Sequence, residues 1–169
     1  MTFRAVKTYG HDLGLSCCFR QWRAKSHCRH LHGYALAFEL VFEADTLDSN
    51  GWVIDFGALK PVKEMLCERF DHALQIAADD PWLKLLGGLA ERDACRLVVV
   101  QNVGTEAFAS QVCAFTEKWL KDTGYADRVR LVSVRPGSTE PMEPPRSEAC
   151  MRLPLNELFE TVQGEGRKT

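Results

Sequence analysis

The sequence predicts an α+β domain: an antiparallel sheet with two helices packed on one face. Three observations carry that prediction. Residues 34–43 and 129–135 alternate and are rich in β-formers, the pattern of strands with one buried face. Residues 57–69 and 105–123 instead place apolar side chains at helical spacing. The order is strands, helix, helix, strands, not the strict alternation of a parallel α/β sheet.

Tyr34–Glu43 reads as a strand, and Asp48-Ser-Asn-Gly51 as a hairpin turn, with Trp52–Ile54 returning as its partner. The first helix buries Leu59, Val62, Met65, Leu66 and Phe70, and Pro61 falls in its first turn, where a missing N–H costs little. Residues 73–95 read as a surface connection with a short helix near Pro81–Leu86, ended by Gly87 and Gly88. Arg96–Val100 is a short β-rich run. Thr105 is placed to cap a helix that presents Phe108, Val112, Phe115, Trp119 and Leu120 on one face and stops at Gly124. Val129–Arg135 alternates again as a strand. Pro136–Pro145 is a proline-rich loop, and Ser147–Leu153 reads as a last strand.

At 169 residues the chain is about one domain long, enough to bury a full core. Twenty-one Lys and Arg face 23 Asp and Glu, a net charge of −2, which argues against a nucleic-acid-binding surface. The N-terminus lacks the apolar core of a signal peptide, and no apolar run is long enough to span a bilayer, so a cytoplasmic protein is expected. The seven cysteines are odd in number and contain no C-x-x-C pair, as expected of thiols in a reducing compartment.

Three segments hold residues suited to chemistry. In His27-Cys28-Arg29-His30-Leu31-His32-Gly33-Tyr34, Arg29 and the flanking histidines can lower a thiol pKa. His30 and His32 would share a face if the strand began that early, but two imidazoles fall short of the three protein ligands of a catalytic zinc. A polar loop with an incidental cysteine explains the spacing equally well. In Asp71-His72 a carboxylate can fix a histidine's tautomer and raise its basicity, so that it withdraws a proton from a thiol; the pair is also an ordinary helix end. Gly104-Thr105-Glu106 is either a helix start with a favourable acidic first turn or a place where a hydroxyl and free N–H groups hold a polar heterocycle.

Four blocks in order, Cys28-x-x-Leu31-His32-Gly33, Gly51-Trp-Val-Ile-Asp55-Phe-Gly-Ala-Leu-Lys60, Phe70-Asp71-His72 and Gly104-Thr105-Glu106, resemble the 6-pyruvoyltetrahydropterin synthase / 6-carboxytetrahydropterin synthase family across residues 12–153. The resemblance implies a tunnelling (T-) fold whose barrel closes by homo-oligomerisation, as a trimer or stacked hexamer. It also implies a pterin ligand. Cys28, Asp71 and His72 match the residues that move protons on the pterin side chain, and Thr105 and Glu106 match the segment lining the pterin pocket.

Two positions depart from the family. Its zinc is held by a histidine on the first strand and a His-x-His on the second. Here the matches are Phe19, His32 and Tyr34, so no metal residue is assigned and no cofactor is expected. Cys17, Cys18, His11, His27 or His30 would substitute only with a shifted first strand. The glutamate that grips the pterin's amidine edge is replaced by Pro136, with Glu140 and Glu143 as nearby candidates. Residues 1–153 therefore read as the T-fold domain and 154–169 as a tail. The stretch from Met151 to Gly166 resembles the start of 7-carboxy-7-deazaguanine synthase, the enzyme that follows in 7-deazaguanine synthesis. The implied function is a 6-carboxytetrahydropterin synthase-like lyase acting on 7,8-dihydroneopterin triphosphate or a related pterin in queuosine biosynthesis. In it Arg20, Arg23 or Arg29 would supply polarisation in place of zinc. The other reading is a non-catalytic pterin- or purine-binding T-fold protein.

Overall fold

A computed structural model describes residues 1–137. Six strands and three α-helices follow in the order β1 (Phe3–Tyr9), β2 (Leu15–Phe19), β3 (His32–Ala44), α1 (Lys60–Phe70), β4 (Ala73–Ala77), α2 (Leu83–Ala90), β5 (Arg96–Val100), α3 (Thr105–Asp122) and β6 (Val129–Gly137). The 13-residue β3 is the spine. Its second half pairs antiparallel with β1, from Tyr9↔Phe38 to Phe3↔Ala44, and its first half with β2, from Leu15↔Leu36 to Phe19↔His32. Between β1 and β2 the chain turns through His11–Leu13 and Gly14, whose φ of 74° suits a residue without a Cβ. On its other side β3 carries β6, with a bulge at Val41/Phe42.

The sheet is mixed, which corrects the antiparallel expectation. Ala73–Ala77 is not surface connection but the buried strand β4, parallel to β2 on one side and to β5 on the other. A strand covered on both faces loses the polar alternation that marks half-exposed strands. Gln75 in its middle is fully buried, donating through Nε2 to the Arg69 carbonyl and accepting from Gln111 of α3.

There are three helices, not two. α1 and α3 cover one face, where Phe38, Phe70, Phe108 and Phe19 form a continuous chain of ring contacts at 5.0–5.4 Å. α2 packs Leu86 against Leu74 and Ile76 in a separate cluster, since β4 side chains alternate between faces. α2 also starts later than expected and runs through Gly87 and Gly88 to Ala90. Trp52–Ile54 is not a strand. The turn at Asp48 forms, with the Gly51 N–H donating to its carbonyl, but the Arg128 guanidinium takes the carbonyls of Thr46, Trp52 and Val53. Val53 and Ile54 enter the core from this loop. β6 extends through Pro136 to Gly137, two residues into the expected loop; the rest of that loop, the strand expected at Ser147–Leu153 and the tail lie outside the described residues. Among the described residues, no helix is long and apolar enough to cross a membrane.

Candidate functional site

The β2–β3 register sets the first part of the site. Phe19 lies opposite His32 and Cys17 opposite Tyr34, so these four side chains share one face. The Phe19 ring lies 4.8 Å from His32 and 5.6 Å from Tyr34, while His32 and Tyr34 meet edge-on at 5.3 Å. Phe108 of α3 abuts Phe19 at 5.0 Å and seals the inner side. Phe19 is 5% exposed and Tyr34 40%, so the cluster is closed inward and open at the tyrosine. His32 Nδ1 is 2.7 Å from the His30 carbonyl; a carbonyl only accepts, which assigns the proton to Nδ1 and leaves the lone pair on Nε2. His30 itself ends the preceding turn and lies outside β3, so it does not share a strand face with His32.

Cys28 sits half-buried in the turn His27–Arg29, where Ser26 Oγ accepts from its N–H. Its carbonyl accepts from the Gln21 N–H at 2.9 Å, and Gln21 Nε2 donates to the Val103 carbonyl at 3.2 Å. Gln21 thus ties the cysteine turn to the segment entering α3. It belongs to no recognisable motif, and the sequence reading missed it. Thr105 opens α3 instead of capping it. The N-cap is Gly104, at φ 118°, and no side chain caps the first turn. Thr105 Oγ1 donates to Glu106 Oε2 at 3.1 Å, and both residues are exposed.

Asp71 and His72 do touch. Asp71 ends α1, its N–H donating to the Cys67 carbonyl, and His72 follows with φ 49°, a left-handed conformation that a side chain seldom adopts. That geometry accompanies the 2.7 Å contact of Nδ1 with Asp71 Oδ1, which also accepts from the Ser16 N–H at 3.4 Å. Partial desolvation pushes the Asp71 carboxyl up, but the hydrogen bonds from His72 and Ser16 together outweigh it, and its pKa lies below the ordinary value. The Arg96 guanidinium holds the carbonyls of Glu68 and Asp71, pinning the corner.

These groups fall at two ends of β2. Cys28 lies beyond its C-terminal end, with the Thr105–Glu106 segment tied to it through Gln21, and the ring trio occupies the Cys17–Phe19 half; Asp71 and His72 lie beside Ser16, three residues or about 10 Å of strand before Phe19. Among the described residues, no hydrogen bond or ion pair joins Cys28 to Asp71 or His72. Two of the three arginines expected to polarise a substrate are otherwise engaged. Arg20 Nε is in ion-pair contact with the buried Asp80 at 3.1 Å, though not aligned as a hydrogen bond, and Arg23 pairs with Asp79. Burial pushes the Cys17 thiol up to about 12 and raises that of Cys18, so neither is a ready thiolate or metal ligand. The positions that the resemblance assigns to zinc lie together, but they offer one imidazole and two carbon rings. Among the described residues no three His, Cys, Asp or Glu side chains are grouped to hold a metal. The donor set does not fit a three-ligand zinc site. At the amidine-gripping position, Pro136 pairs opposite Phe38 in β6; Glu140 and Glu143 lie outside the described residues.

Residues 11–140 match the family described as 6-pyruvoyl tetrahydropterin synthase. The 6-carboxy-5,6,7,8-tetrahydropterin synthase of Aquifex aeolicus is 30% identical over 123 residues, 72% of this chain and 76% of that protein. The protein of the same name from Rickettsia felis is 40% identical over a shorter stretch of 57 residues, 33% of this chain and 41% of its own length. Among solved structures, an uncharacterized protein from Wolinella succinogenes aligns with a TM-score of 0.66 at 23% identity, over 88% of this chain and 97% of that one. A catalytic-residue mutant of Plasmodium vivax 6-pyruvoyltetrahydropterin synthase aligns with a TM-score of 0.53 at 14% identity, over 82% and 99%. At these identities the two structures speak to the fold alone.

Proposed function

Because the chain belongs to the 6-pyruvoyl tetrahydropterin synthase family, we propose that it is a pterin lyase of the 6-carboxytetrahydropterin synthase type. Its substrate is 7,8-dihydroneopterin triphosphate or a close relative, and its place is in queuosine biosynthesis. The observation that carries this reading is the Asp71–His72 hydrogen bond, retained with Cys28 at the matching family positions. With Nδ1–H directed at the Asp71 carboxylate, His72 presents the lone pair of Nε2 as a proton acceptor, and the carboxylate holds the ring in that tautomer. Cys28 then cycles between thiol and thiolate against the carbons of the pterin side chain. Thr105 and Glu106 offer a hydroxyl and a carboxylate to the heterocycle's polar edge.

The two proton-handling groups stand at opposite ends of β2 in one chain, which supports a site completed by a second copy in a homo-oligomer. The test is turnover of 7,8-dihydroneopterin triphosphate, followed by chromatography of the pterin product. Formation of 6-carboxytetrahydropterin, abolished by Cys28→Ala, is expected. A second reading, a pterin- or purine-binding protein without turnover, is favoured by one observation: Phe19 and Tyr34 stand where two zinc ligands would be. Tight neopterin binding without product would select it.

A further inference from the structure

We infer that this site works without zinc and that Tyr34, backed by Phe19, is a stacking face for a planar heterocycle. The stacking half rests on the pterin reading; the zinc half does not. Three strand side chains converge within 4.8–5.6 Å of one another, close enough for ligands of one ion, yet two of the three carry no nitrogen. A lone imidazole does not retain zinc against water at ordinary concentrations, since such sites take three protein ligands. Moving β3 by one residue would turn His32 and Tyr34 to the other face, so the register offers no rescue.

The space has a different use. Phe19 and Tyr34 lie nearly parallel, 27° between ring planes, with Phe108 closing the far side of Phe19. One side of the tyrosine ring is therefore supported while the residue stays 40% exposed. A rigid, half-open aromatic ring beside a histidine whose free nitrogen accepts a hydrogen bond suits a flat ring system bearing N–H groups. A pterin has both features. Recognition of this kind stacks the heterocycle itself, whereas a metal would grip the oxygens of its side chain.

The test titrates zinc ion alone, and then neopterin, into purified protein by calorimetry. No one-to-one zinc binding is expected. Stoichiometric zinc binding that His32→Ala removes would overturn the zinc half. Phe19→His combined with Tyr34→His is expected to gain a zinc site; a folded double variant that stays metal-free would overturn the claimed convergence. Should it not fold, the wild-type zinc titration and the substitutions at exposed Tyr34 decide. Tyr34→Ala is expected to weaken neopterin about tenfold and Tyr34→Phe by less than about twofold. Neopterin binding that is indifferent to Tyr34→Ala overturns the stacking half and leaves the pterin reading standing. Absence of neopterin binding to wild type overturns that reading and the stacking half with it, while the zinc result stands by itself.

Discussion

The two ends of β2 have fared differently. In its C-terminal half the positions that the resemblance matches to zinc ligands form a ring cluster, continuous through Phe108 with the hydrophobic core. Beside Ser16 the Asp71–His72 pair keeps its polar character and its hydrogen bond. The difference follows from what holds each. Side chains at the first end hang on a regular ladder, so changing histidine to phenylalanine alters chemistry without disturbing the backbone. The second end is a corner between α1 and β4, with His72 at positive φ and Arg96 clamped on two carbonyls, where the backbone and the site are one construction. A ladder position can exchange one ring for another with its backbone unchanged; a corner ties its side chains to the course of the chain.

The sharpest way to break this comparison is activity. His72→Ala should lower turnover by about 10²–10⁴-fold, the usual worth of a positioned acid–base group, with the far-ultraviolet circular dichroism unchanged. Mixing His72→Ala with Cys28→Ala subunits under exchange conditions should restore about a quarter of the sites, by random assortment in a symmetric oligomer. No recovery would mean that both groups serve from one chain. Next comes stability. Phe19→Ala removes a ring that is 5% exposed and should cost about 3–5 kcal/mol in denaturant unfolding, against well under that for Tyr34→Ala at 40% exposure.

A smaller effect separates the thiols. At pH 8, iodoacetamide should label Cys28 well before Cys17, whose pKa of about 12 leaves roughly one thiolate in 10⁴. The Cys17 rate in folded protein should climb about tenfold per pH unit below that value. Peptide mass spectrometry reads both, and equal labelling would remove Cys28's claim to be the reactive thiol. The smallest effect is electrostatic. The Asp71 carboxyl is depressed in the folded state, so its contribution is present above the unfolded pKa and is lost as pH falls through the folded one. Asp71→Asn should therefore be slightly less stable than wild type at pH 7, with the gap closing on acidification.

Much of this arrangement was legible. β3, α1, α3 and β6 announce themselves by period and β5 by its run of β-formers, and the ring trio was placed by counting from His32. β4 was not, because five residues buried on both faces, with a glutamine among them, carry neither period. The partners that make Gln75 tolerable, the Arg69 carbonyl and Gln111, are only visible in three dimensions. Trp52–Ile54 misled for a similar reason. An Asn-Gly turn usually returns a strand, but here Arg128, distant in sequence, takes the carbonyls that a ladder would use. The candidates Cys28, Asp71, His72, Thr105 and Glu106 stood out in the sequence by their motifs; Gln21, which acts through its amide, gave no signal.

The central position of β3 also bears on how the chain is made. One side of it is covered by residues already synthesised, β1 and β2, but the other waits for β6, whose first residue follows Ala44 by roughly 85 positions. At about 5–20 residues per second, the ribosome takes about 4–17 s to cover that stretch. Throughout it the nascent chain carries an uncapped β-edge along Ala37–Ala44, rich in phenylalanine, leucine and valine and prone to pair with a neighbouring chain. Yield in the cell should therefore depend on holdase capacity during translation more than on the stability of the finished fold, and slow codons between α1 and β6 should worsen it.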